Sequence, residues 1–195
     1  KKVGFKKTII IRPPLGASLS EGKEAGFLAL LDLMKPAAKT LKKTVNLIGP
    51  TYNTFNWRAD VFELKRMLAC IGIRVNMVLC TDCTVADIEK APRASLNICV
   101  YPYDCGIATA REMEKRFGTP YIAEPVPLGF GGSAEWLAEI ARRCGVDTQD
   151  YLARELEKAL EFTGSLLVSN TLFESSAALS TDNCDTYSVG VSAFL

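Results

Sequence analysis

Between residues 44 and 145, short apolar runs alternate with longer stretches of helical period, and this alternation restricts the fold more than any other feature of the chain. TVNLIG (44–49), IRVNMVL (73–79), LNICVY (96–101) and TPYIAE (119–124) have the length and composition of strands. Asn56 to Ile71 places Val61, Leu64, Leu68 and Ile71 on one helix face, and Gly72 stops it. Thr84 with Asp87 has the form of a capping box that opens a short helix through Lys90. Gly106 to Phe117 gathers Ile107, Ala110, Met113 and Phe117 on one face before Gly118. Ser133 is read as the cap of a helix with Trp136, Leu137, Ile140 and Ala141 inward, ending at Cys144-Gly145. A last amphipathic helix runs from Asp147 to about Phe162. Strands separated by helices at this spacing imply βαβ units. The expected fold is α/β: a doubly wound, mostly parallel Rossmann-like sheet with helices on both faces, occupying residues 44–162.

The flanks depart from this pattern. Thr8–Arg12 reads as a buried strand ended by Pro13-Pro14, residues 15–26 as a loop, and GFLALLDLM as a helix stopped by Pro36. The basic stretch 35–44 reads as a linker, so residues 1–43 are taken as the end of a preceding domain and its linker. No Lys or Arg follows Lys158, and residues 163–195 are Ser/Thr-rich without a clean period. This tail is either a disordered end or non-native sequence from a truncation or frame-shift.

Composition excludes several function classes. Lys+Arg number 23 against 22 Asp+Glu, a net charge of +1, which gives no electrostatic case for nucleic acid or an anionic membrane. No apolar run approaches the ~20 residues of a membrane span, and the N-terminal apolar run is too short for a signal peptide. Cytoplasm is the expected location. The absence of histidine rules out a Ser-His-Asp triad, a Cys-His dyad and His zinc ligands within the chain. Seven cysteines, an odd number in a chain that is 48% hydrophobic, point to reduced thiols rather than a disulfide framework.

In open α/β sheets ligands bind beyond the carboxyl ends of the strands. Three loops lie there: Gly49–Asn56, Cys80–Thr84 and Tyr101–Gly106. GPTYNTFN has one glycine and neither GxGxxG nor GxxxxGK[ST], so a nucleotide site is not expected. Pro50 and Asn53 shape the turn, or Tyr52 and Asn53 face a ligand cavity. Cys80 and Cys83 have CxxC spacing, but no second pair completes a zinc ribbon and only a short helix follows. They are two loop thiols, with a redox pair as the alternative. Cys105 lies on the same edge, and three thiols there begin a soft-metal or iron–sulfur environment, although the loops show no complete set of four cysteines. Cys70 and Cys99 read as core residues and Cys144 as structural, while Cys184 falls in the tail. Asp104 is read as the cap of the helix at Gly106, bordering the crevice. The candidate cofactor- or substrate-binding residues are thus Tyr52, Asn53, Cys80, Cys83, Tyr101, Asp104 and Cys105.

TVNLIGPTYNTFNWRADVFELKRMLACIGIRVNMV followed by LNICVYPYDCGIATAREMEKRFGTPY resembles the component 1 proteins of the nitrogenase superfamily. The shared order is a strand ending V-N-[LI]-[IL]-G, a helix E-[LI]-x-R-x-L, then G-[IA]-x-V-N-x-V, a strand N-[VIL]-x-x-Y and a helix ending near G-x-P-Y. GPTYNTFN and NICVY resemble in particular the nitrogenase-like reductases of protochlorophyllide and chlorophyllide. The resemblance covers about residues 44–150. It implies a subunit of three similar α/β domains, of which this chain is a fragment holding the middle one. It further implies ATP-driven reduction, in which an iron–sulfur reductase ATPase delivers electrons to an iron–sulfur cluster shared between two component 1 subunits, and thence to a small-molecule or tetrapyrrole substrate. In that family the cluster cysteines come mainly from the first domain. The thiolate that holds the iron–molybdenum cofactor of true nitrogenase would fall at Tyr101 or Pro102, a departure that favours a tetrapyrrole or related reductase, and the resemblance leaves Cys105, a few residues later, as the candidate metal ligand in a displaced position. The alternative reading is a stand-alone Rossmann-like small-molecule binding or interaction domain without redox activity.

Overall fold

The computed structural model describes residues 9–13 and 15–167, with side chains through Glu161. The described elements are α1 (Leu19–Leu30), β1 (Leu41–Ile48), α2 (Trp57–Cys70), β2 (Arg74–Val78), α3 (Val85–Glu89), β3 (Ala94–Cys99), α4 (Ile107–Phe117), β4 (Tyr121–Ala123), α5 (Gly129–Cys144) and α6 (Gln149–Leu167). The strands form one all-parallel sheet in the order β2-β1-β3-β4. From β1 the chain moves to one side for β2, then passes back over β1 to reach β3. The strand order therefore reverses between β1 and β3, where open α/β sheets form their ligand crevice.

Side chains alternate across the pleat, and each face of the sheet carries its own core. Val45, Leu47, Val78, Leu96 and Ile98 pack with Leu64 and Leu68 of α2, Trp136, Leu137 and Ile140 of α5, and Tyr151 of α6. Ile48, Met77 and Leu79 pack on the other face with Phe27 of α1, Ile88 of α3, and Ala110 and Met113 of α4. The expected doubly wound α/β architecture with helices on both faces is therefore the one observed.

That second face also holds a polar seam. Asn46 and Asn97 are fully buried in adjacent strands. Asn46 Nδ2 donates to Asn97 Oδ1 (2.8 Å) and to the Ala91 carbonyl (2.9 Å), and Asn76 Nδ2 donates to Asn46 Oδ1 (2.8 Å). Buried amides are costly without partners, so this chain across β2, β1 and β3 opposes any slip in register.

Several local expectations are corrected. Of the expected opening strand, Thr8 lies outside the described residues and Ile9–Arg12 form no strand. Ile10 and Ile11 are exposed, and the described sheet, β2-β1-β3-β4, does not include them. The supposed loop 15–26 contains the start of α1: Ser18 accepts from the Glu21 amide while the Glu21 carboxylate accepts from Ser18, a capping box. The supposed linker contains the start of β1 at Leu41. Helix α5 begins at Gly129 rather than at Ser133, whose hydroxyl donates back to the Gly129 carbonyl (2.8 Å). Cys70 is exposed at the end of α2 rather than in the core. Residues 168–195, with Cys184, lie outside the described residues. No described helix is long and apolar enough to cross a membrane.

Candidate functional site

The three expected loops do leave the same sheet edge, but they differ in how much they can offer a ligand. The loop after β3 is locked. Tyr101 is fully buried, and its hydroxyl donates to Asp60 on α2. Cys105 is also buried, and its thiol donates to the Gly49 carbonyl (3.5 Å), while the Cys99 thiol donates to the Cys105 carbonyl (3.4 Å). Two glycines permit this closeness. A Cβ on Gly49 would lie 3.0 Å from the Tyr101 nitrogen. A Cβ on Gly106 would lie 2.9 Å from Ile48 Cγ2 and 3.0 Å from Cys99 Sγ, and Gly106 sits at φ +106, where L-residues are strained. The crevice floor at the reversal point is thus filled by the chain's own backbone.

The start of α4 is capped from a distance. Its N-cap is Gly106, and the Glu24 carboxylate of α1 accepts from the Gly106 amide, the Thr109 amide (2.7 Å) and the Thr109 hydroxyl. This replaces the expectation that Asp104 caps the helix. The α4 N-terminus carries partial positive charge and unsatisfied amides, which a carboxylate meets directly. Glu24 was not recognisable as a site residue, because a cap contributed from 82 positions away leaves no local motif.

The loops after β1 and β2 are open and touch each other. Tyr52 is 70% exposed, yet its hydroxyl donates to the Thr81 carbonyl (3.1 Å), and its ring meets Trp57 edge-on at 5.3 Å. Asn53 is exposed and accepts from the Thr51 hydroxyl (2.6 Å), which shapes the turn. Cys80 adopts φ +73, unusual for a residue with a side chain, at the tip of a turn closed by a bridge between Val78 and Asp82. Lys65 of α2 pairs with Asp82. Thr81 is buried, and its hydroxyl finds no partner among the described residues.

The thiols are held protonated. Burial, and next the Cys83 thiol, push Cys80 up to about 12. Burial does the same to Cys99 and Cys105, each pushed up to about 12. Burial also raises Cys83. Such thiols are poor nucleophiles and poor redox initiators. Among the described residues no three Cys, Asp or Glu side chains converge as a metal site. A groove of about 500 Å³ opens elsewhere, between α2, α5 and α6 over Met67, Leu137 and Leu152, and none of the candidate residues lines it.

The comparisons with known proteins agree with one another. The model of the family described as nitrogenase component 1 type oxidoreductase matches residues 9–195. The chain belongs to that family. It is 41% identical over 123 residues to one subunit of the light-independent protochlorophyllide reductase of Roseobacter denitrificans, covering 63% of this chain and 24% of the relative. It is 42% identical over 106 residues to the same subunit from a Synechococcus species, covering 54% of this chain and 19% of the relative. Among solved structures, nitrogenase Cp1 at pH 6.5 superposes with a TM-score of 0.60 at 26% identity, over 74% of this chain and 28% of that one. The chain thus spans about a quarter of the length of the relatives it matches.

The component 1 family implies an iron–sulfur cluster, and the described residues do not fit one on their own. Cys105 and Cys99 spend their thiol protons on backbone carbonyls, and no cysteine or carboxylate set surrounds either sulfur. The expectation of Cys105 as a metal ligand has no supporting donor set among these residues.

Proposed function

We propose that this chain is part of a component 1-type oxidoreductase subunit that takes part in ATP-coupled, iron–sulfur-dependent reduction of a tetrapyrrole-like substrate. The observation that carries this reading is the 41% identity to a protein named for light-independent protochlorophyllide reduction. On this reading residues 44–162 are the middle domain, 1–43 end the preceding one, and the cluster is held outside the described residues. The partners are a second component 1 subunit and an iron–sulfur reductase ATPase, and the setting is cytoplasmic.

The contribution of this domain is binding rather than acid–base or nucleophilic chemistry. Tyr52, Phe55 and Tyr103 present exposed rings from the loops after β1 and β3, with Tyr52 joined to the Cys80–Cys83 loop. Aromatic faces suit a planar, largely apolar macrocycle. Tyr101 and Cys105 support that surface from beneath. Asp104 is half-buried beside it.

Two measurements test the reading. The anaerobically purified chain should carry no stoichiometric iron, and a stably bound cluster would contradict the assignment of its ligands elsewhere. The longer subunit containing this sequence, supplied with its second subunit, the reductase ATPase and ATP, should reduce protochlorophyllide. Absence of ATP-dependent turnover on any tetrapyrrole would overturn the reading. Unchanged kcat and KM in Tyr52→Ala and Cys80→Ser/Cys83→Ser variants would remove those loops from the substrate surface.

A further inference from the structure

At the opposite end of the sheet from the candidate loops, a cleft of about 620 Å³ lies against the first residues of β1. Lys39, Lys42, Lys43 and Arg74 line it, and no carboxylate does. All four are exposed, and none makes an ion pair among the described residues. Several basic side chains elsewhere are paired, Lys35 with Glu89, Lys65 with Asp82, and Arg116 with Asp32 and Glu112, and Lys23, Arg58, Lys90 and Arg93, without an ion pair among the described residues, do not line this cleft. Surface cations usually sit among opposite charges, so four unpaired ones in a single cleft are a local concentration of positive potential.

The backbone beneath them is distorted in a way that maintains this arrangement. Lys43 holds φ +52 within a strand, and the β1–β3 register shifts between Leu41 and Val45. Bulges of this kind re-aim side chains, and a lysine in the left-handed region costs stability that a glycine would avoid. β3 pairs with β1 from Leu41, whereas β2 begins only at Arg74, opposite Thr44. Leu41 pairs with Ala94 and the β1–β3 partners resume only at Val45, so Lys42 and Lys43 are ladder partners of neither neighbouring strand and stand clear of the sheet.

We propose that this cleft is a docking surface for an acidic, extended segment of a partner protein. An acidic segment laid through the cleft brings its carboxylates to Lys39, Lys42 and Lys43 on one side and Arg74 on the other, four cations with no carboxylate of this chain among the lining residues. A small anion matches less well, because the lysines are hydrated and spread around an open cleft rather than converging in a buried one. A nucleic acid matches less well too, since the whole chain carries only +1 and offers no long basic track. The surface is independent of the reductase reading, since it uses none of the candidate-site residues.

A fluorescein-labelled poly-glutamate peptide titrated into the 195-residue chain tests this, followed by anisotropy. Saturable binding is expected, weakening about tenfold or more between low and physiological salt. The Lys39→Glu/Lys42→Glu/Arg74→Glu variant should lose about tenfold or more in affinity, while Lys115→Glu, a charge reversal on the outer face of α4, should not. If the triple reversal fails to fold by circular dichroism, Lys39→Gln/Lys42→Gln/Arg74→Gln takes its place with the same expectation. The proposal is overturned by absence of saturable binding, or by equal loss in Lys115→Glu. Displacement by inorganic phosphate at constant ionic strength would make the cleft a small-anion site instead. Tighter binding of a single-stranded oligonucleotide than of the peptide would make it a nucleic-acid site.

Discussion

The loop after β3 and the loop after β2 leave the same edge of one parallel sheet, and each buries a threonine nearby. In the first, Thr109 is tied through its amide and hydroxyl to Glu24, Tyr101 reaches Asp60, and Gly106 lets the backbone close against Ile48 and Cys99. In the second, Cys80 holds a left-handed conformation, the Thr81 hydroxyl has no partner among the described residues, and the outward contacts are those of Tyr52 and Asp82. The first loop is tied and filled on its inner side at Tyr101, Cys105 and Gly106, so that side belongs to the scaffold, while Tyr103 faces outward. The second holds a left-handed residue and a buried hydroxyl without a partner among the described residues, so it is the less closed of the two. Shared position on a crevice edge therefore does not give two loops the same role.

The comparison can be broken most readily at Gly106. Gly106→Ala should destabilise the chain by about 2–4 kcal/mol, read from urea midpoints, because it adds a clash to an unfavourable φ. A variant within error of the parent would show that the β3 loop has room to open. Glu24→Ala should cost about 1–2 kcal/mol, with a smaller loss in Glu24→Gln, which keeps an acceptor oxygen. Hydrogen exchange at the amides of Gly106 and Thr109 should accelerate in the same order.

The protonated thiols give a pH dependence of definite sign. Cys99 and Cys105 lie above the ordinary thiol value in the folded state because burial disfavours the thiolate. Their contribution is therefore complete below the unfolded pKa of about 8.5 and is lost as pH rises toward about 12, by at most about 1.4 kcal/mol per pH unit for each. Melting temperature should fall across that window, and Cys105→Ser should flatten the slope. A melting curve unchanged between neutral and strongly alkaline pH would show that the loop is less closed than its geometry indicates. The smallest effect is expected at Thr81. Thr81→Val removes a hydroxyl that has no partner among the described residues, so stability should stay within about 0.5 kcal/mol or rise. A loss beyond that would mean that the hydroxyl has a partner and that the two loops are more alike.

Much of this molecule can be read along the chain. The four strands, the Thr84–Asp87 capping box and the glycine stops at Gly118 and Gly145 all follow from period and local chemistry. The start of α1 carried an equally local signal in Ser18 and Glu21, which the polar composition around it obscured. The candidate site was legible as a set of loops but not as a surface. Tyr101 and Cys105 look no different in sequence from Tyr52 and Cys80, although two are buried and two are accessible to differing degrees. The asparagines of VN, VN and LN were visible as letters, but their hydrogen-bonded seam exists only once three strands align.

Periodicity and turn chemistry, being properties of neighbours in the chain, determined the βαβ order, the parallel sheet and the edge from which the candidate loops leave. They also carried the motifs by which the component 1 family is recognised. Burial, capping at a distance and closeness of backbones depend on residues far apart in the chain. Glu24 seated on α4, Gly49 against Tyr101, and the four cations around the open end of β1 come from that level alone. The physical reason is the same in each case: these interactions act across space at a few ångströms, and the chain order holds no record of which distant residues will meet.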